Sequence, residues 1–177
     1  MENAEKRVDI KDVSFTSTDG TSTIHARIWR PLGTFGERPR AIVQIVHGMS
    51  EHVRRYDEFA RYLCGRGYAV CGDDHIGHGA SAAPDKRGCM PARNGNEVLI
   101  DDEHALRALV SAEFPADTPY VFFGHSMGSF ITRCYLGRHG EGLAAAVICG
   151  TGTIPVVVSR VGHATARALA AVRGDDY

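Results

Sequence analysis

The 177-residue chain has no apolar run long enough to cross a membrane as a helix, no excess of charge of either sign, and no paired-cysteine motif. Each absence removes a class of function. Twenty lysines and arginines stand against 21 aspartates and glutamates, for a formal net charge of -1. No basic field draws the chain to phosphate backbones, so nucleic acid is not an expected partner. The cysteines Cys64, Cys71, Cys89, Cys134 and Cys149 are odd in number and contain no C-x-x-C pair. Neither a disulfide framework nor a zinc-finger spacing follows, and the thiols read as free and buried. The charged stretch Met1 to Arg7 lacks the apolar segment of a signal peptide, which gives the expectation of a cytoplasmic protein. No internal repeat or low-complexity tract is evident.

What is present is the composition of one ordinary domain, 44% hydrophobic and 23% charged. Residues 8 to 18 and 23 to 30 are β-type stretches around Asp19-Gly20, a hairpin signal that predicts an antiparallel pair. Ala41 to Val46 is an almost unbroken run of β-branched residues, as in a strand buried on both faces. Tyr56 to Leu63 has helical spacing, Tyr68 to Cys71 is a short strand, and residues 97 to 110 form an amphipathic helix. Its expected core stripe is Val98, Leu99, Ala105, Leu106 and Leu109. Tyr120 to Phe123 is a strand, and Met127 to Leu136 is a helix expected to pack Phe130, Ile131 and Cys134. Leu143 to Cys149 is a further strand, and residues 156 to 173 are helical. The alternation predicts an α/β domain with a mostly parallel sheet entered through an antiparallel hairpin.

Gly124-x-Ser126-x-Gly128 falls between a predicted strand and a predicted helix, the context in which the pattern makes a nucleophile elbow. The glycines are needed because side chains there would collide with the neighbouring strand or helix, while Ser126 is held in a strained conformation. Met127 N–H then opens the helix, where unpaired donors favour a developing negative charge. A second such donor is expected from the loop after His47-Gly48, at Met49, with Gly48 turning the amide inward. The competing reading of Ser126 is a simple helix N-cap.

With these residues in view, the sequence resembles the monoacylglycerol lipase and lysophospholipase-like branch of the α/β-hydrolases, the serine aminopeptidase S33 group. Three blocks carry the resemblance. They are His47-Gly48-Met49-Ser50-Glu51-His52 with Arg55-Tyr56, then Asp74-His75-Ile76-Gly77-His78-Gly79-Ala80-Ser81, then Gly124-His125-Ser126-Met127-Gly128. The resemblance implies an α/β-hydrolase fold and ester hydrolysis on a monoacylglycerol- or lysophospholipid-like substrate, through an acyl-enzyme on Ser126. Met49 and Met127 are the implied oxyanion donors. It also implies a helical cap after residue 153, followed by strands that carry the acid and the histidine. The expectation is therefore a core over residues 1 to 153, the start of a cap over 154 to 177, and a sheet that stops before the family's last strands.

Other constellations are weaker. Asp73-Asp74-His75-x-x-His78 offers metal-type ligands at an unrecognised spacing, and no metal is expected. Gly77-x-Gly79-x-x-Ala82 matches a dinucleotide fingerprint but opens a loop instead of a helix, so no cofactor is expected. Glu51 and Arg55 either hydrogen-bond the alcohol part of a polar ester or form a solvated cluster at a helix entry. After Ser126 the histidines are His139 and His163. Glu141, the only acid between Ser126 and either of them, lies at the wrong edge of the sheet for a triad. The alternative to an esterase is thus a truncated, catalytically inactive α/β-hydrolase fragment that acts at most as a binding or structural piece. Self-association of such a chain through an open strand edge is expected, and peripheral membrane contact through the apolar face of residues 156 to 172 is compatible with the pattern.

Overall fold

The antiparallel entry into the sheet follows from the alternation in the first two strands. The computed structural model describes residues 8–173 with the exceptions of Ala92 and Ile154; the charged N-terminal heptapeptide and the last four residues lie outside that range. Strands β1 (Val8–Thr16) and β2 (Thr23–Pro31) pair antiparallel in the register Thr16↔Thr23 to Val8↔Pro31. In β1 the even residues Val8 and Ile10 face one helical layer, and the odd residues Val13 and Phe15 face the other.

The remaining strands are β3 (Ile42–Val46), β4 (Ala69–Asp74), β5 (Tyr120–His125) and β6 (Ala145–Cys149). The six-stranded sheet has the order β1-β2-β4-β3-β5-β6. Strand β2 is antiparallel to β4, while β3, β4, β5 and β6 run parallel. Every residue of β3 and β4 is buried, as expected for strands covered on both faces.

Helix α1 (Asp57–Cys64), entered through a 3-10 turn at Val53–Tyr56, covers one face with Trp29, Val43, Ile45 and Val70 beneath it. Trp29 Nε1 donates to Asp57 Oδ1 at 2.8 Å and fixes the start of that helix. Helices α2 (Gly95–Ser111) and α3 (Met127–His139) cover the other face over Ile24, Ile28, Ile42, Val46 and Phe122. The connections crossing between parallel strands are helical, as the sequence alternation requires.

Three packing expectations need correction. In α3, Ile131 is buried but Phe130 and Cys134 are exposed, and Ser129, Thr132 and Tyr135 point inward instead. The rotation is set at Gly128, which lies against the end of β3, so positions one and two turns further along face the sheet. In α2 the inward face carries Asp102 and Glu103 beside Val98, Leu99, Leu106 and Val110. Among the cysteines, Cys64 and Cys71 are buried, but Cys134 and Cys149 are exposed.

Helix α4 (Val156–Arg173) is exposed along nearly its whole length, including Val157 at 73% and Val161 at 61%. Among the described residues no helix is long and apolar enough to cross a membrane.

Gly137 is an exposed helical glycine of α3, and a Cβ there would meet nothing within 4 Å. Gly137→Ala is therefore expected to stabilise the chain by about 0.5–1 kcal/mol, because it removes unfolded-state freedom without a clash. Urea unfolding of the two proteins checks this; a lower midpoint for the variant would show that the helix is not built as described.

Candidate active site

Strand β5 delivers Ser126 to the carboxyl edge of the sheet, and the chain then turns at once into α3. The turn is as tight as the sequence requires. A Cβ at Gly124 would overlap Thr132 Oγ1 and the Gly128 carbonyl, and one at Gly128 would overlap the Val46 carbonyl. Ser126 itself has φ 52° and ψ -118°, a sparsely populated region for a non-glycine residue that costs of order 1–3 kcal/mol. Its backbone is fixed on both sides: Ser126 N–H donates to Cys149 O at 3.0 Å, and Ser129 donates to Ser126 O from both its amide and its hydroxyl. The Ser126 side chain makes no capping hydrogen bond to α3, so it is not an ordinary N-cap. Among the described residues Ser126 Oγ has no hydrogen-bond partner.

The loop after β3 packs directly on the elbow. A Cβ at Gly48 would lie 3.1 Å from Ser126 Cβ and 3.1 Å from Glu51 Oε2. The left-handed residue in this loop is Ser50, at φ 58°, and not Gly48, whose role is to leave room for a close approach to Glu51 and Ser126. Gly48 N–H is satisfied by Glu51 Oε2 at 3.0 Å. Among the described residues neither Met49 N–H nor Met127 N–H has an intramolecular acceptor, and the Met49 side chain is exposed.

Glu51 and Arg55 sit beside this loop, with Arg55 Nη1 3.4 Å from Glu51 Oε1. Tyr56 OH donates to Glu51 Oε2 at 2.7 Å and lies 3.1 Å from His125 Nδ1, which is itself 3.4 Å from Glu51 Oε2. Sequence reasoning missed Tyr56 and His125 as partners of Glu51, although both lie in the motif blocks. His52 is exposed, and a cleft lined by Ser50, Glu51, His52, Arg54, His78 and Arg87 opens beyond it.

Of the later histidines, His139 pairs with Asp101 Oδ1 at 3.0 Å and stacks on His104, between α2 and the end of α3. Glu141 follows it, before β6, at the edge opposite Ser126. His163 lies on the exposed helix α4.

The family model described as serine aminopeptidase, S33, matches residues 37–174, most of the chain. The chain belongs to this S33 family. A monoacylglycerol lipase of Mycolicibacterium smegmatis is 30% identical over 152 residues, covering 82% of this chain and 50% of that protein. The mouse monoglyceride lipase is 34% identical over 109 residues, covering 62% of this chain and 33% of that protein. A carboxyl esterase of Bacillus coagulans superposes with a TM-score of 0.79 at 37% identity, covering 90% of this chain and 50% of that one. The chain thus spans between a third and a half of the length of these relatives, and its sheet is the α/β-hydrolase sheet.

In this S33 chain the loop after β3 rests on buried polar groups that sequence reasoning identified only in part. Of the run Asp73-Asp74-His75-x-x-His78, set aside in the sequence as a metal site, Asp73 and His75 come together, but Asp74 and His78 do not join them. Asp74 instead ties two loops together, accepting Val53 N–H at 2.6 Å and Ala80 N–H at 2.7 Å, while His78 Nδ1 faces Ile76 O.

Asp73, His75 and Glu103 are the described residues whose ligand atoms, all within 4.8 Å of one another, are close enough to share a cation. Glu103 comes from α2 and carries no motif signal, since a glutamate in an amphipathic helix reads as solvated. His75 Nδ1 lies 3.1 Å from Asp73 Oδ1 and 3.3 Å from Glu103 Oε1, and its Nε2 lies 3.2 Å from His47 O. Gln44 Nε2 donates to Glu103 Oε2 at 2.5 Å, and Tyr120 OH donates to Gln44 Oε1 at 2.5 Å.

Burial opposes charge on His75, but Asp73 and Glu103 outweigh it and raise its pKa to about 9. Burial and the neighbouring Asp73 push the Glu103 carboxyl well up, whereas the His75 charge holds Asp73 down against burial. His47 accepts the His75 amide N–H on Nε2 at 3.1 Å, so its ring proton sits on Nδ1, facing Gly48 O at 2.8 Å. Burial and the His75 cation, stacked 3.7 Å away, drive its pKa down to about 3, and it stays neutral.

The sign of the resulting pH dependence is fixed by the raised pKa of His75. Its stabilisation is fully present below about pH 6.5 and is lost as pH rises through about 9, because the native state there holds a proton that the unfolded chain does not. Stability measured by urea unfolding is expected to fall between pH 6.5 and 9, and His75→Gln is expected to show a shallower fall. Identical slopes in the two proteins would remove the buried cation from the account.

Proposed function

We propose that this chain supplies the nucleophile and oxyanion hole of a carboxylic ester hydrolase acting on monoacylglycerol- or lysophospholipid-like esters. The observation that carries this reading is the backbone of Ser126, held at φ 52° between β5 and α3 with its hydroxyl uncommitted. Such strain persists only where surrounding structure over-determines it, and it lifts Oγ clear of the sheet. The relatives named as monoacylglycerol lipase and carboxyl esterase support the substrate class.

In the reaction, Ser126 Oγ attacks the ester carbonyl carbon while its proton passes to a general base. Met49 and Met127 N–H stabilise the tetrahedral oxyanion. Collapse expels the alcohol, which takes up the proton, and leaves an acyl group on Ser126; water then releases the carboxylic acid by the reverse proton traffic. The base and its orienting acid come from outside residues 8–173. Arg55 lies at the rim of the loop, where its guanidinium meets the alcohol part of the ester.

Of the cap expected over residues 154 to 177, residue 154 and residues 174–177 lie outside the described residues; in this reading α4 opens that cap and its exposed valines face the acyl chain or a membrane surface, with the protein cytoplasmic. Strand β6, which among the described residues pairs with β5 alone, is the edge at which self-association would occur.

A second reading is favoured by a different observation: of the histidines after Ser126, His139 is paired with Asp101 and His163 lies on the exposed helix α4. The chain then binds an ester without turning it over. Two measurements decide. In the full-length natural protein, an organophosphonate probe is expected to label Ser126, with labelling abolished in Ser126→Ala; a label mapped to another serine would overturn the nucleophile. The 177 residues assayed alone on a short-chain aryl ester are expected to show no Ser126-dependent multiple turnover. Loss of a triad base costs on the order of 10⁶-fold in turnover. Sustained turnover by a monodisperse sample would place the base inside this chain, with His163 the first to replace.

A further inference from the structure

We propose that Glu51 is a positioning residue whose carboxylate locks the loop after β3 to the nucleophile elbow, so that the Met49 and Met127 amides meet one substrate oxygen. This rests on the reading just given, and it assigns Glu51 a role other than the alcohol contact expected from the sequence.

Glu51 Oε2 accepts from Gly48 N–H at 3.0 Å and from Tyr56 OH at 2.7 Å, and lies 3.4 Å from His125 Nδ1. One oxygen atom therefore joins the oxyanion loop, the turn that enters α1, and the residue immediately before Ser126. The side chain is only 10% exposed, and the second oxygen, Oε1, faces Arg55 at 3.4 Å. Oε2 is thus committed to protein donors.

The lock acts where the backbone is under strain. Ser50 is left-handed at φ 58°, and Ser126 has φ 52°, so both halves of the site are held in conformations that relax if released. Gly48 lies between Glu51 Oε2 and Ser126 Cβ, each 3.1 Å from where its Cβ would be, so the carboxylate and the nucleophile grip the same peptide from two sides. Because Gly48 N–H is committed to Glu51, Met49 N–H is the first amide of the loop free to face a ligand. The anchor of the lock is rigid: Tyr56 ends the turn that begins at Val53, whose N–H is held by Asp74. Hydrogen bonds from Tyr56 and Gly48 outweigh burial and hold the Glu51 carboxyl below its ordinary value, so it remains ionised and accepts strongly.

The test uses the full-length protein with two esters of one acyl chain, a monoacylglycerol and a nitrophenyl ester without a polar alcohol. Removing an oxyanion donor outright costs about 10²–10³ in kcat, so misplacing one through Glu51→Gln is expected to lower kcat by about 10–100-fold on both esters, with KM changed less than about twofold. Glu51→Asp keeps the charge but not the reach and is expected not to restore the rate. Tyr56→Phe, which removes a single donor and spares the fold, is expected to show the same split more weakly.

A rise in KM confined to the monoacylglycerol would make Glu51 a substrate contact and overturn the proposal, as would unchanged kcat on both esters. If the unmodified protein cleaves neither ester, the proposed function fails on its own. The lock is then read by hydrogen exchange at Gly48 N–H, where faster exchange in Glu51→Gln supports it and unchanged exchange overturns it.

Discussion

The site depends on one steric constraint, the approach of the first turn of α3 to the end of β3. No Cβ fits at Gly128 against the Val46 carbonyl, and none fits at Gly124 against Thr132 and Gly128. With the helix that close, the residue between them cannot adopt ordinary strand or helix angles, and Ser126 is forced to a positive φ. The strain is held by neighbouring backbone, since Cys149 O accepts the Ser126 amide proton and Ser129 binds the Ser126 carbonyl. The same contact sets the rotation of α3, which turns Thr132 and Tyr135 inward and leaves Phe130 and Cys134 outside.

Around that constraint, two polar assemblies of opposite character hold the loop after β3. Beneath it, a fully buried group sets Asp73 and Glu103 around a cationic His75, and His75 reaches the His47 carbonyl through Nε2. Above it, the largely buried Glu51 joins Gly48 to Tyr56 and His125. Low dielectric strengthens the first assembly, and Gln44 and Tyr120 extend it by satisfying Glu103 Oε2 and the Gln44 side-chain carbonyl oxygen. Neutral His47 lies between the two, with its tautomer set by the His75 amide.

Much of this was legible in the sequence because it is written in short-range patterns. The buried run Ile42–Val46, the hairpin around Asp19-Gly20 and the spacing of Gly124-x-Ser126-x-Gly128 each act within a few residues, and the mostly parallel sheet with its antiparallel entry followed from such patterns, whereas the order of its strands did not. What was not legible depends on distance in the chain. Glu103 meets His75 only after α2 folds onto the sheet, and on a helical wheel it looks like any solvated glutamate. Glu51 read as a substrate contact because nothing local shows that Gly48, Tyr56 and His125 converge on it. The thiols of Cys134 and Cys149 read as buried because composition favours burial, whereas helix rotation and an edge position decided otherwise.

The central claim is that Ser126 and the amides of Met49 and Met127 form a single acyl-transfer centre. Its most direct test is the crystal structure of the full-length protein carrying a phosphonate on Ser126, since the phosphoryl oxygen occupies the place of the oxyanion. The account predicts a covalent bond to Ser126 Oγ and that oxygen within hydrogen-bonding distance of both Met49 N and Met127 N. An adduct whose phosphoryl oxygen points to solvent, or is held by other groups, would contradict it.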